Sequence, residues 1–503
     1  MKIYNTAQIK AYDEFTILHE PISSIDLMER AAVQLTKKLL ELYPLNTNFS
    51  FIIGNGNNGG DGLAMARLLH PLGMNLKIFL LNFANSKLSK DAEINLKRLP
   101  HGIKIIEVKN PNDFDAIEID DLIIDCIFGT GLKYPLRSEY HDFIQSLNQR
   151  TNQMIAIDIP SGLTSDDNNN LVIESPVIKA HTTITIQQPK FNFFFAENNP
   201  FVGEWHVVDI NLDKDYYENT PTNNHLIDRQ LIHHIHKKRE KFGHKGSYGH
   251  SLIVAGEFGK MGAAVLATKS CLRSGSGLVS SYIPKCGYDI LQISVPEAMI
   301  IISDHFSKIS NQIDISKYDA IGIGPGIGIS EESISYFKHL LPQVKQPIVI
   351  DADALNIIAN DIQLLDLLPA LSILTPHPKE FDRIFGQSNN GFERCEKQRI
   401  CSQRHKIIII LKGAHTSISF PDGSIYFNQT GNVGMATGGS GDTLTGIITG
   451  LLSQKYTPQE ASILGVFLHG LAGDMALSSQ SVESLIATDI IDNLGNAYKN
   501  IQI

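Results

Sequence analysis

The sequence predicts two α/β domains in succession, each a parallel β-sheet with helices on both faces. Three observations carry that prediction. Short β-branched runs such as "FSFIIG", "LKIFLL", "DLIIDCIFG" and "QMIAIDIP" are apolar throughout and alternate with segments of helical spacing. Strands buried on both faces read this way, because crossover helices cover a parallel sheet. The alternation lapses after "GEWHVVDINL" and resumes at "SLIVAG", and the polar stretch "DKDYYENTPTNN" from Asp213 to Asn224 reads as a linker. The chain has 503 residues, 43% hydrophobic and 19% charged, which is ample material for more than one core. The domains are placed at 1–215 and 225–503.

Composition excludes several classes. A net charge of -10 argues against a nucleic-acid partner, which needs a basic stripe to displace counterions. Five scattered cysteines (Cys126, Cys271, Cys286, Cys395 and Cys401) form no C-x-x-C and suit a reducing compartment. Cys126 and Cys271 sit in apolar runs as core thiols. The N-terminal "MKIYNTAQIKAYDEF" has no apolar core like that of a signal peptide, and no membrane-spanning apolar run is seen. A soluble cytoplasmic protein without nucleic-acid or membrane partners is expected. His233, His234, His236 and His244 lack the spacing that puts ligands on one helical face and read as a solvated helix leading into a loop.

In the first half, "FIIGNGNNGGDGLAMARLL" carries G-x-G-x-x-G at Gly54, Gly56 and Gly59, after a strand and before a helix. A dinucleotide fingerprint also wants an acid about 20 residues on to hold the ribose. The second strand, "NLKIFLLNFAN", ends without one, and the first later acid is Asp91, in the next helix. The usual dinucleotide site is therefore rejected. Asn57, Asn58 and Asp61 instead supply oxygens that suit a hard cation or a sugar hydroxyl. Other strand ends add Asp125, the turn Gly129–Gly131 with Pro135, then Asp158 and Ser161, and Lys190. Ligands of open α/β sheets bind outside the carboxyl ends of the strands, so these read as one pocket.

Together "GNGNNGGDGLAMARLL", "DCIFGTGL", "AIDIPSGL" and "QQPK" resemble the NAD(P)H-hydrate epimerase domain (YjeF N-terminal type) over residues 1–215. The resemblance implies a Rossmann-like three-layer α/β/α fold and interconversion of the R and S hydrates of NADH and NADPH (NADHX and NADPHX). It implies substrate contacts at Asn57, Asn58, Gly59, Gly60 and Asp61, at Gly129, Thr130, Gly131, Leu132, Lys133, Tyr134 and Pro135, and at Asp158. It implies K+ at Asn58, Asp125 and Ser161. Asp158 is the expected acid/base group, with Lys190 steadying it by charge.

In the second half, "NVGMATGGSGDTLTGIITGLL" sets glycines and small residues before Asp442 and a helix. Exposed backbone N–H groups at such a helix start cradle an anion, and Asp442 at its mouth can take a proton from an attacking hydroxyl. That is phosphoryl-transfer chemistry without a P-loop, since no G-x-x-x-x-G-K-[ST] is present. Gly324, Gly326 and Gly328, Asp351 and Asp353, His377 and Glu380, and Lys412–Thr416 all follow strands.

"GIGPGIG", "DADALN", "TPHPKEF", "LKGAHT" and "GGSGDTLTG" resemble the ADP- or ATP-dependent NAD(P)H-hydrate dehydratases over about 240–500. The resemblance implies a ribokinase-like fold, hydrate contacts at Ala263, Gly326, His377 and Asp442, and nucleotide contacts at Lys412, Gly413, Ala414, His415, Thr416 and Gly441. It implies Mg2+ with ADP or ATP as phosphoryl donor, and Asp442 as the base. Ser440 stands where the family often has Thr, and Lys379 where Gly is usual. The bifunctional reading expects an oligomer of this chain. The alternative is a ribokinase-like kinase of a small vitamin-precursor alcohol fused to a dinucleotide-binding module. In a non-enzymatic variant, the first half is a binding module only.

Overall fold

The computed structural model describes residues 1–81, 87–132, 136–167 and 175–502. The expected contacts at Lys133, Tyr134 and Pro135 lie outside the described residues. The chain divides into two compact units, Lys2–Thr222 and Asn223–Ile503, the latter taking in Met1.

Among the described residues of the first unit, seven strands form one sheet: β1 (Phe49–Ile53), β2 (Leu76–Leu81), β3 (Lys104–Val108), β4 (Leu122–Cys126), β5 (Met154–Ile157), β6 (Thr182–Ile186) and β7 (Glu204–Val208). Their order is β3-β2-β1-β4-β5-β6-β7, and every pairing is parallel. Apolar clusters lie on both faces, one around Phe51, Ile53 and Leu63, the other around Ile52, Phe79 and Phe114. The chain winds one way from β1 to β3 and the other way from β4 onward. The switch between β1 and β4 opens a crevice at their carboxyl ends.

The helix Asn57–Leu69 starts directly on the glycine motif, so Asn57–Asp61 form its first turns rather than a loop. A Cβ at Gly54 would collide with the Ile127 carbonyl, and one at Gly59 with the Gly54 carbonyl. At Gly62 it would stand 2.6 Å from Cys126 Sγ. These glycines let the helix press onto β1 and β4, whereas Gly56 has open space. Gly59→Ala should therefore cost about 1–3 kcal/mol. Gly56→Ala should leave the thermal unfolding midpoint almost unmoved, so melting curves of the two variants separate packing from ligand approach within one motif.

The stretch from Asp213 to Asn224 is not a plain linker. It forms a helix, Lys214–Asn219, whose Tyr216 stacks on Tyr12 at 4.6 Å and packs beside Tyr4. Polar side chains hide its two-tyrosine face from a periodicity reading. The compact unit consequently runs to Thr222.

The second unit carries β8 (Asn224–Leu226), β9 (His250–Val254), β10 (Leu278–Ile283), β11 (Met299–Ile302), β12 (Ala320–Ile323), β13 (Ile348–Ile350), β14 (Ile373–Leu374), β15 (Ile408–Leu411), β16 (Ser417–Ser419) and β17 (Ile425–Phe427). They lie in the order β11-β10-β9-β12-β13-β14-β15-β16-β17-β8. Pairing is parallel from β11 to β15, then antiparallel through β16 and β17. A second switch point falls between β9 and β12. The helices Met261–Arg273 and Ser440–Ser453 meet where Gly446 and Gly450 leave room, a Cβ at either colliding with Ser270 or Ser274. The histidine-rich segment forms the helix Arg229–Ile235, burying Ile232 and Ile235 while His233 and His234 stay exposed. Among the described residues, no helix is long and apolar enough to cross a membrane.

Candidate active sites

A cavity of about 660 Å³ lies at the carboxyl ends of β1, β4, β5 and β6 in the first unit. It is lined by Asn57, Asn58, Asp61, Gly129, Thr130, Gly131, Leu132, Asp158 and Lys190, so four strand ends do converge. Gly59 and Gly60 do not line it. They are buried in the helix, where a Cβ at Gly60 would stand 2.7 Å from Met28 Sδ.

Asp158 follows β5 with φ of 67°, a left-handed conformation that costs a residue with a Cβ roughly 1–2 kcal/mol. Strain of this kind persists where surrounding structure imposes it, and is concentrated at functional positions. Here the imposing partners are visible. Oδ1 of Asp158 accepts from Ile186 N at 3.2 Å and pairs with Lys190 Nζ at 2.7 Å. Lys190 is only 1% exposed, and its ammonium also donates to Thr185 Oγ1 (2.9 Å) and to the carbonyls of Ile186 and Gln188 (3.2 Å each). The cation is thus committed to one carboxylate. A Cβ at Gly129 would stand 3.6 Å from Asp158 Oδ2, which directs that oxygen toward the glycine turn.

Asp125 and Ser161 lie buried beside the cavity rather than on its wall. Asp125 accepts from Ser161 Oγ (2.6 Å), Ser161 N (2.8 Å) and Ile127 N (3.1 Å). Burial pushes its carboxyl up to about 6 against those hydrogen bonds. The Asn58 amide nitrogen donates to the carbonyls of Phe128 (2.9 Å) and Ile157 (3.2 Å), while its Oδ1 is buried with no donor among the described residues. An oxygen placed so fits a cation, which would also offset the buried Asp125 charge. Among the described residues, no group of three His, Cys, Asp or Glu forms a metal cluster.

In the second unit the expected residues gather at the ends of β13, β14 and β15 and at the start of the helix Ser440–Ser453. Lys412 Nζ lies 2.8 Å from Asp351 Oδ1 and 3.9 Å from Glu380 Oε2. Thr445 Oγ1 donates to Asp351 Oδ2 at 2.8 Å. Burial works against the Asp351 charge, but Lys412 outweighs it and holds the carboxyl below its ordinary value. Burial likewise opposes the Lys412 charge, and Asp351 and Glu380 outweigh it. A Cβ at Gly441 would stand 3.3 Å from Lys412 Nζ, so the helix start faces this cation. Gly439 caps the helix at φ of 88°, which suits glycine. Asp442, in the first turn, is pushed up to about 6 by burial and by the Asp351 charge, with Lys412 opposing. Ala352, next to Asp351, is left-handed at φ of 49°, so this site too carries a strained non-glycine residue at a strand end.

Ala263 and Gly326 adjoin, a Cβ at Gly326 standing 3.2 Å from that of Ala263. His377 caps the helix Pro378–Phe385: its Nδ1 accepts from the N–H groups of Lys379 and Glu380 at 3.2 Å. Gly413–Thr416 form the turn between β15 and β16, closed by Thr416 Oγ1 donating to Gly413 O at 3.1 Å.

The family model of NAD(P)H-hydrate dehydratase matches residues 251–496, and that of the YjeF-related protein N-terminus matches residues 24–191. The bifunctional NAD(P)H-hydrate repair enzyme Nnr of Moorella thermoacetica is 33% identical over 100% of this chain and 97% of its own length. The chain belongs to the bifunctional NAD(P)H-hydrate repair enzymes. The corresponding protein of Dictyoglomus turgidum is also 33% identical, over 100% of this chain and 99% of its own. Among solved structures, the ADP/ATP-dependent NAD(P)H-hydrate dehydratase of Bacillus subtilis, co-crystallised with ATP/Mg2+, is 30% identical. It covers 56% of this chain and 100% of its own, with a TM-score of 0.49. The fold class is the two-domain α/β one that the sequence predicts, each unit built on a mainly parallel sheet.

Some residues of this repair enzyme's sites escape a sequence reading. Asp13 and Tyr12, from the helix Thr6–His19, line the first cavity with Arg137 and Gln187. Nothing in "AYDEF" marks them, because only the fold brings that helix across the strand ends. In the second unit, His469 is buried in the helix Pro458–Ala476, with Nε2 3.0 Å from the Ser440 carbonyl. Burial pushes it down to about 4, so it is neutral and holds the helix start by a hydrogen bond. A histidine within an apolar helix is its one trace in the sequence.

Proposed function

We propose that the first domain, 1–215, interconverts the R and S hydrates of NADH and NADPH, and that the second, 225–503, dehydrates the S form with ADP or ATP. The observation that supports this most is that two strand-end sites of different chemistry occur in one chain that matches bifunctional relatives along its whole length. The first offers a pinned carboxylate in a cavity large enough for a nicotinamide ribonucleotide. The second offers a base, a cation and a glycine-rich helix start.

In the second site the ring hydroxyl of the hydrate attacks the terminal phosphoryl of the nucleotide, and Asp442 takes the hydroxyl proton. The new phosphoester sits on the carbon bonded to the ring nitrogen. The nitrogen lone pair expels phosphate, and loss of a proton from the neighbouring carbon restores the double bond. Lys412 and the N–H groups from Gly441 onward face the charge on the transferred group. The turn Gly413–Thr416 borders the nucleotide, and Ala263, Gly326 and His377 border the hydrate. Bound Mg2+ would offset phosphate charge during transfer.

In the first site, Asn57, Asn58, Asp61 and the turn Gly129–Leu132 hold the substrate, and Asn58, Asp125 and Ser161 hold K+. The cation answers the donorless Asn58 oxygen and the buried Asp125 charge. Asp125→Ala should weaken K+ dependence and slow the epimerase. Rates across a K+ titration check this, and an unchanged dependence counts against the cation site. The enzyme works in the cytoplasm, in keeping with five unpaired cysteines.

The deciding experiment follows recovery of reduced-nicotinamide absorbance from mixed R and S NADH hydrate, adding ADP or ATP and then K+. Recovery of both epimers, dependent on nucleotide, is expected and names the donor. Recovery of the S form alone removes the epimerase, and a lasting phosphoester without recovery points to a kinase.

A further inference from the structure

Among the described residues, the cavity of the first unit holds more carboxyl groups than its one buried cation can balance. Asp13, Asp61 and Asp158 all line it. Lys190 is spent on Asp158 and on three further oxygens. Asp61 is 8% exposed, and burial, then the charges of Asp158, Asp13 and Asp91, push its carboxyl well up. Asp13 comes from a different element, the helix Thr6–His19, and is the carboxyl that helix turns to the cavity. Burial first, and the Asp158 charge next, push Asp13 up to about 7, with Lys190 opposing and Glu14 adding to the rise. Among the described residues, Lys10 and Arg137 are the other charged groups on the cavity wall. The site thus pairs a carboxylate fixed by an ammonium with a carboxyl that gains and loses a proton near neutrality.

The substrate chemistry calls for that pair. The hydrate arises from an enamine, so its hydroxyl lies on the carbon bonded to the ring nitrogen. Inverting that carbon needs a bond to it to break and re-form. If the hydroxyl departs as water, a proton must be given to it and the nitrogen lone pair must form a C=N bond. Water then adds to the other face and must lose a proton.

Resting on the epimerase reading, we propose that the epimers interconvert by loss and re-addition of water, with Asp13 giving the proton to the departing hydroxyl and Asp158 taking the proton of the incoming water. The charges balance. Neutral hydrate and protonated Asp13 become an iminium, water and the Asp13 carboxylate. Iminium, water and the Asp158 carboxylate become the other epimer and protonated Asp158. Solvent exchange resets the two carboxyls. The Asp158 charge also stabilises the iminium between the two steps.

The test uses the full-length protein with pure R hydrate of NADH, following appearance of the S epimer chromatographically. Asp13→Asn, which keeps shape and removes the proton, should lower the epimerisation kcat by about 100-fold or more. The wild-type kcat/KM should fall above about pH 7, and this alkaline limb should be lost in the variant. In water enriched in oxygen-18, each wild-type conversion should place one heavy oxygen in the product. This measurement needs no variant to fold. A wild-type rate in Asp13→Asn, or retention of the original oxygen, overturns the proposal. If the wild-type protein itself leaves the R hydrate unchanged, the epimerase reading falls instead, so the two failures are distinct.

Discussion

Asp442→Asn should abolish nucleotide-driven dehydration while making the folded protein more stable at neutral pH. The loss follows from chemistry, since an amide cannot take the hydroxyl proton. General-base removal typically lowers a rate by about 10²–10⁴-fold. The wild-type kcat/KM for dehydration should fall below about pH 6, where Asp442 becomes protonated. The stability gain follows from linkage. The folded carboxyl titrates at about 6 rather than at its ordinary value of 3.8, so folding favours the protonated form. That advantage is fully present below the unfolded value and is lost as pH rises through about 6. Above this, burying the charge costs about 2–3 kcal/mol. The amide escapes the cost. The variant should therefore melt several degrees higher than wild type at pH 7–8 and at the same temperature near pH 4. A variant less stable at pH 8, or one that still dehydrates the S hydrate at the wild-type rate, would remove Asp442 from the role of a strained base.

Much of both sites can be read in the sequence because their residues sit where strands end, and strands of buried parallel sheets announce themselves. Asp125, Asp158, Asp351 and Lys412 each follow an apolar run, and the rule that ligands collect at carboxyl ends gathers them without knowledge of strand order. What the sequence does not disclose is which oxygen of a motif faces ligand and which faces protein. Asn57–Asp61 read as one run of substrate contacts, yet Gly59 and Gly60 are spent on packing, and the Asn58 amide splits between two carbonyls and an oxygen with no donor among the described residues. His377 reads as a ligand and is also a helix cap. Asp13 and His469 lie on helices whose periodicity says nothing about the site, because their approach is a tertiary fact. The tyrosines of Lys214–Asn219 escape for the converse reason: a two-residue apolar face is too short to register as a period.

Lys190→Met should carry a large stability loss in the first unit. The ammonium is buried and holds Asp158 at 2.7 Å along with three other oxygens. Removing it leaves the Asp158 carboxylate without its counter-charge, and breaking one side of a buried pair costs about 3–5 kcal/mol. Asp158→Asn alone should also be destabilising, since it leaves the buried Lys190 ammonium without a counter-charge, although the amide oxygen still accepts from Lys190 and from Ile186 N. The double variant Lys190→Met/Asp158→Asn should regain most of what Lys190→Met loses, because no unpaired charge remains. Denaturant unfolding of the four proteins measures that coupling, and additive losses would mean that the pair is not the source of the cost. Epimerase activity should stay lost in the double variant. The pair therefore contributes little net stability beyond what an uncharged pair would give. What it supplies is a carboxylate held in one orientation on a left-handed backbone, which the proposed inversion of a ring carbon requires and folding does not.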